Sequence, residues 1–300
     1  MGGIQRRARR GRRGRREPQS LCYSQRPPRL CVSFRHRAVY RAVSLAAAAA
    51  VAYKVCMTTE FVRPDNRRPD QLRRVRIRKN YVRSALGSAL CEFGRTRVIC
   101  VASIDEEVPR WMKVQKVSGG WITGEYAMLP YAGGDRKQRE STRGKLDGRT
   151  VEIQRLVGRA LRAVIDLEKL GPRTIWVDCD VLEADGGTRT AAITGAFVAL
   201  CLALRKLEKE GLITKWPIKR QIAAVSVGIL EGTPILDLCY AEDSKAAVDM
   251  NVVMTDTGEF VEIQGSGEEA TFTATQLQQM LALAEKGARE LMVLQKRAIG

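Results

Sequence analysis

An α+β domain is the fold class this sequence predicts, on three observations. Strand-like and helical segments alternate from Arg73 onward. Short glycine turns separate paired β-branched runs. One stretch, Ala191 to Leu207, is apolar nearly all round, as a central helix should be.

The elements follow in order. Ser88 to Phe93 and Thr96 to Ser103 flank Gly94 and read as a hairpin. Gly120 to Leu129 is a further strand, leading into a loop, Gly133 to Gly148, rich in glycine and charge. Ile153, Leu156, Val157, Ala160, Leu161, Val164 and Ile165 then recur at helical spacing, with Arg155, Arg159 and Arg162 off that stripe, so this helix buries one face. Thr174 to Leu182 alternates like a strand and ends at Asp185-Gly186-Gly187, before the apolar helix. Two hairpins follow. Ile222 to Ile229 pairs with Pro234 to Tyr240 across Glu231-Gly232, and Asn251 to Thr255 pairs with Phe260 to Gln264 across Asp256-Thr257-Gly258. Thr275 with Gln278 is expected to cap the last helix, whose buried side is Leu277, Met280, Leu281, Ala284, Leu291 and Leu294. A single core over residues 57–300 is expected, within the size one domain reaches.

The net charge of +18 is unevenly placed: Met1 to Cys56 holds fourteen basic residues and one acid, leaving residues 57–300 with only +5. The arginine repeats before Arg16 and the lack of a sustained apolar period before Ala46 mark residues 1–56 as a basic, disordered leader. Three explanations stay open for it: an over-extended start with initiation at Met57, an organelle transit peptide, or an RNA-binding arm. No run of about 18 apolar residues predicts a spanning helix, so no membrane association is expected. The body's cysteines (Cys91, Cys100, Cys179, Cys201, Cys239) lie among apolar neighbours without a CxxC pair, which implies buried thiols and a cytoplasmic location.

The one histidine, His36, is in the leader. Residues 57–300 therefore have no base for a Ser-His-Asp or Cys-His mechanism and no histidine for a zinc site. Arginine, glycine and carboxylate remain, the set suited to phosphate chemistry.

Gly186-Gly187-Thr188-Arg189 joins a strand to a helix N-terminus, where close backbone approach, free N–H groups, a hydroxyl and a guanidinium make an anion site. A plain glycine turn with Thr188 as the cap fits the same residues. Arg149 stands at the start of the amphipathic helix, where a cation costs a few tenths of a kcal/mol against the dipole unless an anion intervenes. Arg149 and Arg189 explain each other if they share one phosphate; the alternative is that they pair with carboxylates such as Glu152 and Asp185. Asp243 and Asp249 would lie about 240° apart on a continuous helix, so they converge only if the chain turns between them. Converged, they would repel unless Mg²⁺ or a proton intervened; otherwise they are solvated loop acids. The segment Asp135 to Lys145 offers five cations against two acids and no aromatic residue, which suits a phosphate backbone, or a merely solvated loop.

Together these residues resemble the ribonuclease PH family, on Arg63-Pro64-Asp65, Gly119 to Thr123 (GGWIT), Gly148 to Leu156 (GRTVEIQRL), Cys179 to Gly195 (CDVLEADGGTRTAAITG) and Ala241 to Met254 (AEDSKAAVDMNVVM), within about Arg63 to Ile299. The resemblance implies a ribosomal protein S5 domain 2-like fold, a single RNase PH domain over 57–300, and a homohexameric ring built as a trimer of dimers. It implies a phosphorolytic 3′-to-5′ exoribonuclease, a tRNA nucleotidyltransferase, that trims tRNA precursor 3′ ends with inorganic phosphate as co-substrate and releases nucleoside diphosphates reversibly. It places phosphate ligands on Arg149, Gly187, Thr188 and Arg189, catalytic and Mg²⁺-binding acids on Asp243 and Asp249, and RNA-contacting arginines on Arg136 and Arg139. Tyr131 stands where the family carries another such arginine. The alternative is a non-catalytic RNA-binding ring subunit, which would be expected to lose Arg149, Arg189, Asp243 or Asp249; all four are present.

Overall fold

A computed structural model describes residues 62–268 and 270–300, and the expectations for residues 1–56 lie outside them. Strands β1 (Val75–Lys79), β2 (Gly87–Phe93), β3 (Thr96–Asp105), β4 (Trp121–Met128) and β5 (Thr174–Glu183) form one sheet in the order β1-β2-β3-β5-β4. Its neighbours are antiparallel except β4 and β5, which run parallel. Parallel neighbours need a crossover. Here it comprises α2 (Glu140–Arg143), α3 (Gly148–Ala163) and α4 (Leu167–Leu170), while a short α1 (Arg110–Gln115) precedes β4. The second sheet is antiparallel in the order β7-β6-β8-β9, from β6 (Ile222–Leu230), β7 (Thr233–Leu236), β8 (Val248–Thr255) and β9 (Phe260–Gly267).

Helix α5 (Thr188–Lys209) lies between the sheets, against β2 and β3 on one side and β6 on the other, which is why its sequence is apolar all round. By length and composition it could cross a membrane, yet its most apolar stretch is 89% buried in the domain. Burying one side chain such as Leu200 or Ile193 there contributes about 1.5–3 kcal/mol. Helix α3 packs its predicted stripe on β4 and α5, and α7 (Ala274–Ile299) closes the second sheet by packing on β6 and β7. One hydrophobic core spans both sheets, within a compact unit Glu60–Gly300.

Several boundaries differ from the sequence expectation, each for a local reason. Strand β7 ends at Leu236 rather than Tyr240, because Asp237 takes a left-handed φ of 56° that breaks the ladder. Strand β8 starts at Val248, so Asp249 belongs to the strand. The cap of α7 is Thr273 with Gln276, not Thr275 with Gln278: Gln276 N–H donates to Thr273 Oγ1 at 3.2 Å, and Gln276 Oε1 accepts from Thr273 N–H at 2.9 Å. The charged loop contains α2, whose Glu140 accepts the Thr150 hydroxyl at 2.6 Å and thereby braces the first turn of α3.

Candidate active site

Both halves of the site are built where strands end. After β5, Asp185 leads into Gly186 and Gly187, which take left-handed φ values of 75° and 66° that only glycine adopts without strain. Gly187 is the N-cap of α5, so Thr188 opens the helix instead of capping it, and the first N–H groups of α5 have no acceptor within the helix. The loop is packed tightly: a Cβ on Gly186 would lie 2.7 Å from the Leu238 carbonyl oxygen. Buried Thr188 accepts a hydrogen bond from Tyr126 Oη at 2.9 Å, which leaves its own hydroxyl proton available to donate.

Arg189 follows Thr188 and is held without being spent. Its Nη1 lies 3.2 Å from Glu152 Oε1 and donates to Gln264 Oε1 at 2.6 Å, while Gln264 Nε2 donates to Glu152 at 2.6 Å. One alternative from the sequence, the Glu152 pair, is thus present; the other, Asp185, pairs with Arg95 at 3.1 Å. Arg149 is exposed on the first turn of α3.

The second half follows β7. From Asp237 the chain turns into α6 (Tyr240–Asp243), whose first turn is closed by Glu242 accepting the Cys239 N–H at 2.9 Å. Asp243 ends this turn, and Asp249 sits on β8 between Gly228 of β6 and Ser266 of β9. Both acids are partly buried. Burial, and then the neighbouring Asp243, push the Asp249 carboxyl up to about 6, against the pull of Arg189 and Arg149. Burial also raises Asp243, opposed by the same two arginines and reinforced by Glu268. Arg149 and Arg189 thus both oppose the shifts of Asp243 and Asp249, which makes the four side chains electrostatic neighbours.

Among the described residues no group of three or more histidine, cysteine or acidic side chains could enclose a metal. Two crowded carboxylates fit Mg²⁺, which takes one or two such oxygens and completes its shell with water and phosphate. Arg136 and Arg139 are exposed on the β4–α3 loop. Arg139 lines a separate cavity of about 420 Å³ with Glu125, Asp178 and Asp180. Tyr126 joins the two places, lining that cavity while bonding Thr188. Four of the five described cysteines are buried and all are free; Cys239 is half-buried.

Sequence reasoning missed Tyr126, Gln264 and Arg73. Arg73 is buried beneath the glycine loop, paired with Asp237 at 2.7 Å, and its Nη1 donates to the Asp185 carbonyl at 2.5 Å.

A glycine loop opening a helix, two arginines and two partly buried acids make up a set of groups chemically suited to phosphate, with no histidine among them. The model of the 3′ exoribonuclease family, domain 1, matches residues 71–206, and that of the same family's domain 2 matches residues 220–287. The chain belongs to this family. The two matched segments are the two sheets with their helices, sharing one core. It is 57% identical over 244 residues to ribonuclease PH of Corynebacterium efficiens, covering 81% of this chain and 98% of that one. It is likewise 57% identical over 240 residues to ribonuclease PH of Halalkalibacterium halodurans, covering 80% and 93%. In structure it is similar to an Archaeoglobus fulgidus exosome chain solved with RNA in the active site, at TM-score 0.65 and 22% identity over 83% of this chain and 98% of that one. An archaeal exosome core chain gives TM-score 0.64 at 21% identity over 85% and 99%.

Proposed function

We infer that this chain is a phosphorolytic 3′-to-5′ exoribonuclease acting on RNA 3′ ends, those of tRNA precursors among them. What supports the assignment of residues is that Arg149 and Arg189 both act electrostatically on Asp243 and Asp249, and that Arg189 lies in the first turn of α5, whose leading N–H groups have no acceptor within the helix. Arginines and free amides recognise phosphate, and nothing there could activate water by histidine.

In this reading Arg149, Arg189, the Gly187 and Thr188 amides and the Thr188 hydroxyl hold inorganic phosphate. One of its oxygens attacks the phosphorus of the last phosphodiester. The bond from that phosphorus to the 3′ oxygen of the preceding nucleotide breaks, and a nucleoside diphosphate leaves. The arginines neutralise the repulsion between two anions, and one of the two acids passes a proton to the leaving 3′ oxygen. Asp243 and Asp249 would hold Mg²⁺, which would add neutralisation of negative charge at this site. One phosphorus–oxygen bond replaces another, so nucleoside diphosphate in excess drives nucleotide addition.

Arg136 and Arg139 serve the RNA backbone from the exposed loop. The reading includes a homohexamer, a trimer of dimers; among the described residues β9 is an edge strand on which Phe260 and Ile263 are 46% and 44% exposed, a surface that suits contact with another copy. Free cysteines, with Cys100 directly opposite Cys179 across β3 and β5, fit the reducing cytoplasm. The experiment is Arg189→Ala with RNA binding and phosphate-dependent release measured side by side. Release should fall while binding holds; a parallel fall of both would make Arg189 an RNA ligand instead.

A further inference from the structure

The glycine loop carries an orientation problem that its own residues do not solve. A trans peptide points its C=O and N–H in opposite directions, so amides turned toward an anion require their carbonyls to be held on the far side. In this chain the far side is occupied by Arg73. Its Nη1 donates to the Asp185 carbonyl at 2.5 Å, its Nη2 lies 3.4 Å from the Gly186 carbonyl oxygen, and Thr96 Oγ1 donates to that same oxygen at 2.7 Å. The N–H groups of Gly186 and Gly187 belong to those two peptides and are turned the opposite way. Contact is close enough that a Cβ on Gly187 would sit 3.0 Å from Arg73 Nη2.

Arg73 is itself fixed from below. Asp237, fully buried, accepts Arg73 Nη2 at 2.7 Å, Nε at 3.0 Å and the Arg73 backbone N–H at 2.7 Å. It adopts left-handed backbone at φ 56°, a conformation a non-glycine residue keeps only where its surroundings hold it. The same loop is tied to the acid-bearing turn, since Tyr240 N–H donates to Asp185 Oδ1 at 3.3 Å. With its charge paired to Asp237, Arg73 acts on the loop through its hydrogen bonds. Only a planar guanidinium has donors enough to hold Asp237 with one edge and two carbonyls with the other.

We propose that Arg73, held by Asp237, is a positioning residue for phosphate: by gathering the Asp185 and Gly186 carbonyls on the buried side it aims the Gly187 amide, one of the phosphate donors named above, at the attacking anion. This rests on the reading of the loop as the phosphate site. The test is steady-state kinetics of Arg73→Lys, which keeps the charge and loses the fork, beside the parent and Arg189→Ala, with KM for phosphate, KM for RNA and kcat measured separately. A displaced anion site predicts that Arg73→Lys raises the phosphate KM roughly tenfold to a hundredfold, with the RNA KM within about twofold. An unchanged phosphate KM, or a lower kcat alone that follows a lower melting temperature, would mean Arg73 only supports the fold. Should Arg73→Lys not fold, Thr96→Val removes the other donor to the Gly186 carbonyl and must raise the phosphate KM in the same direction, or the proposal fails. If Arg189→Ala also leaves the phosphate KM untouched, it is the phosphate site itself that is misassigned. If only Arg189→Ala raises it, the positioning role alone falls.

Discussion

Replacing Asp249 by asparagine should make the metal-free, phosphate-free protein more stable while depriving it of turnover. Asp249 carries an electrostatic strain at neutral pH: burial and Asp243 together lift its carboxyl from the ordinary 3.8 to about 6. An acid whose folded value lies above its unfolded value is stabilising when protonated and loses that advantage as the pH rises between the two. At about 1.4 kcal/mol per pH unit, the ionised form costs about 3 kcal/mol by pH 7. Residual water and the shared charge of Asp243 reduce this to about 1–3 kcal/mol, which for a domain of this size is a rise in melting temperature of roughly 2–10 °C. Asparagine never ionises, so the advantage should be greatest at pH 7 and close as the pH falls to 4. Thermal unfolding of parent and variant in chelator, at several pH values, measures it. A gap at pH 7 no larger than at pH 4, or a less stable variant at pH 7, would refute the electrostatic account of the cleft.

Other outcomes follow from the same geometry. Arg189→Ala removes a charge-assisted bond to phosphate, about 1.5–3 kcal/mol, so phosphate-dependent kcat/KM should fall roughly 10- to 150-fold with RNA affinity kept; comparable losses in both would contradict the assignment. Glu242 is raised by burial but held below the ordinary 4.5 by Arg63, whose Nε and Nη2 it accepts at 2.6 and 2.7 Å. Burial likewise raises Asp237, and Arg73 more than offsets it. Both pairs thus stabilise the fold above about pH 4 and lose that as the pH drops through their depressed values. Glu242→Gln should cost about 3–5 kcal/mol at pH 7 by stranding Arg63, and should flatten the acid limb of the stability curve; an acid limb like the parent's would show that this pair is not what titrates. For the loop, Arg136→Ala with Arg139→Ala should reduce the slope of log affinity for single-stranded RNA against log salt by about 1.4. An unaltered slope would place the RNA backbone elsewhere.

What the sequence made legible is what repeats locally. The stripe from Ile153 to Leu161, the apolar run of α5 and the turns at Gly232 and Gly258 all depend on spacing within one element, and the structure has them there. Gly187 and Arg189 were readable for the same reason, being a turn and a helix start in adjacent positions. Contacts across the chain left no such trace. Arg63 meets Glu242 over 179 residues and Arg73 meets Asp237 over 164, so their arginines read as ordinary basic residues near the start of the domain. The left-handed Asp237 that ends β7 early, and the choice of Thr273 over Thr275 as a cap two residues away, are decided by tertiary packing that periodicity does not register. Tyr126 lay in a predicted strand, and only the approach of α5 reveals its bond to Thr188.

The most direct measurement incubates the purified protein with a 3′-extended tRNA and Mg²⁺, with and without inorganic phosphate, and identifies the mononucleotide released. Nucleoside diphosphates formed only when phosphate is present are the predicted result. Nucleoside monophosphates formed without phosphate would mean hydrolysis, and bound RNA with no product would mean a non-catalytic subunit; either would contradict the account.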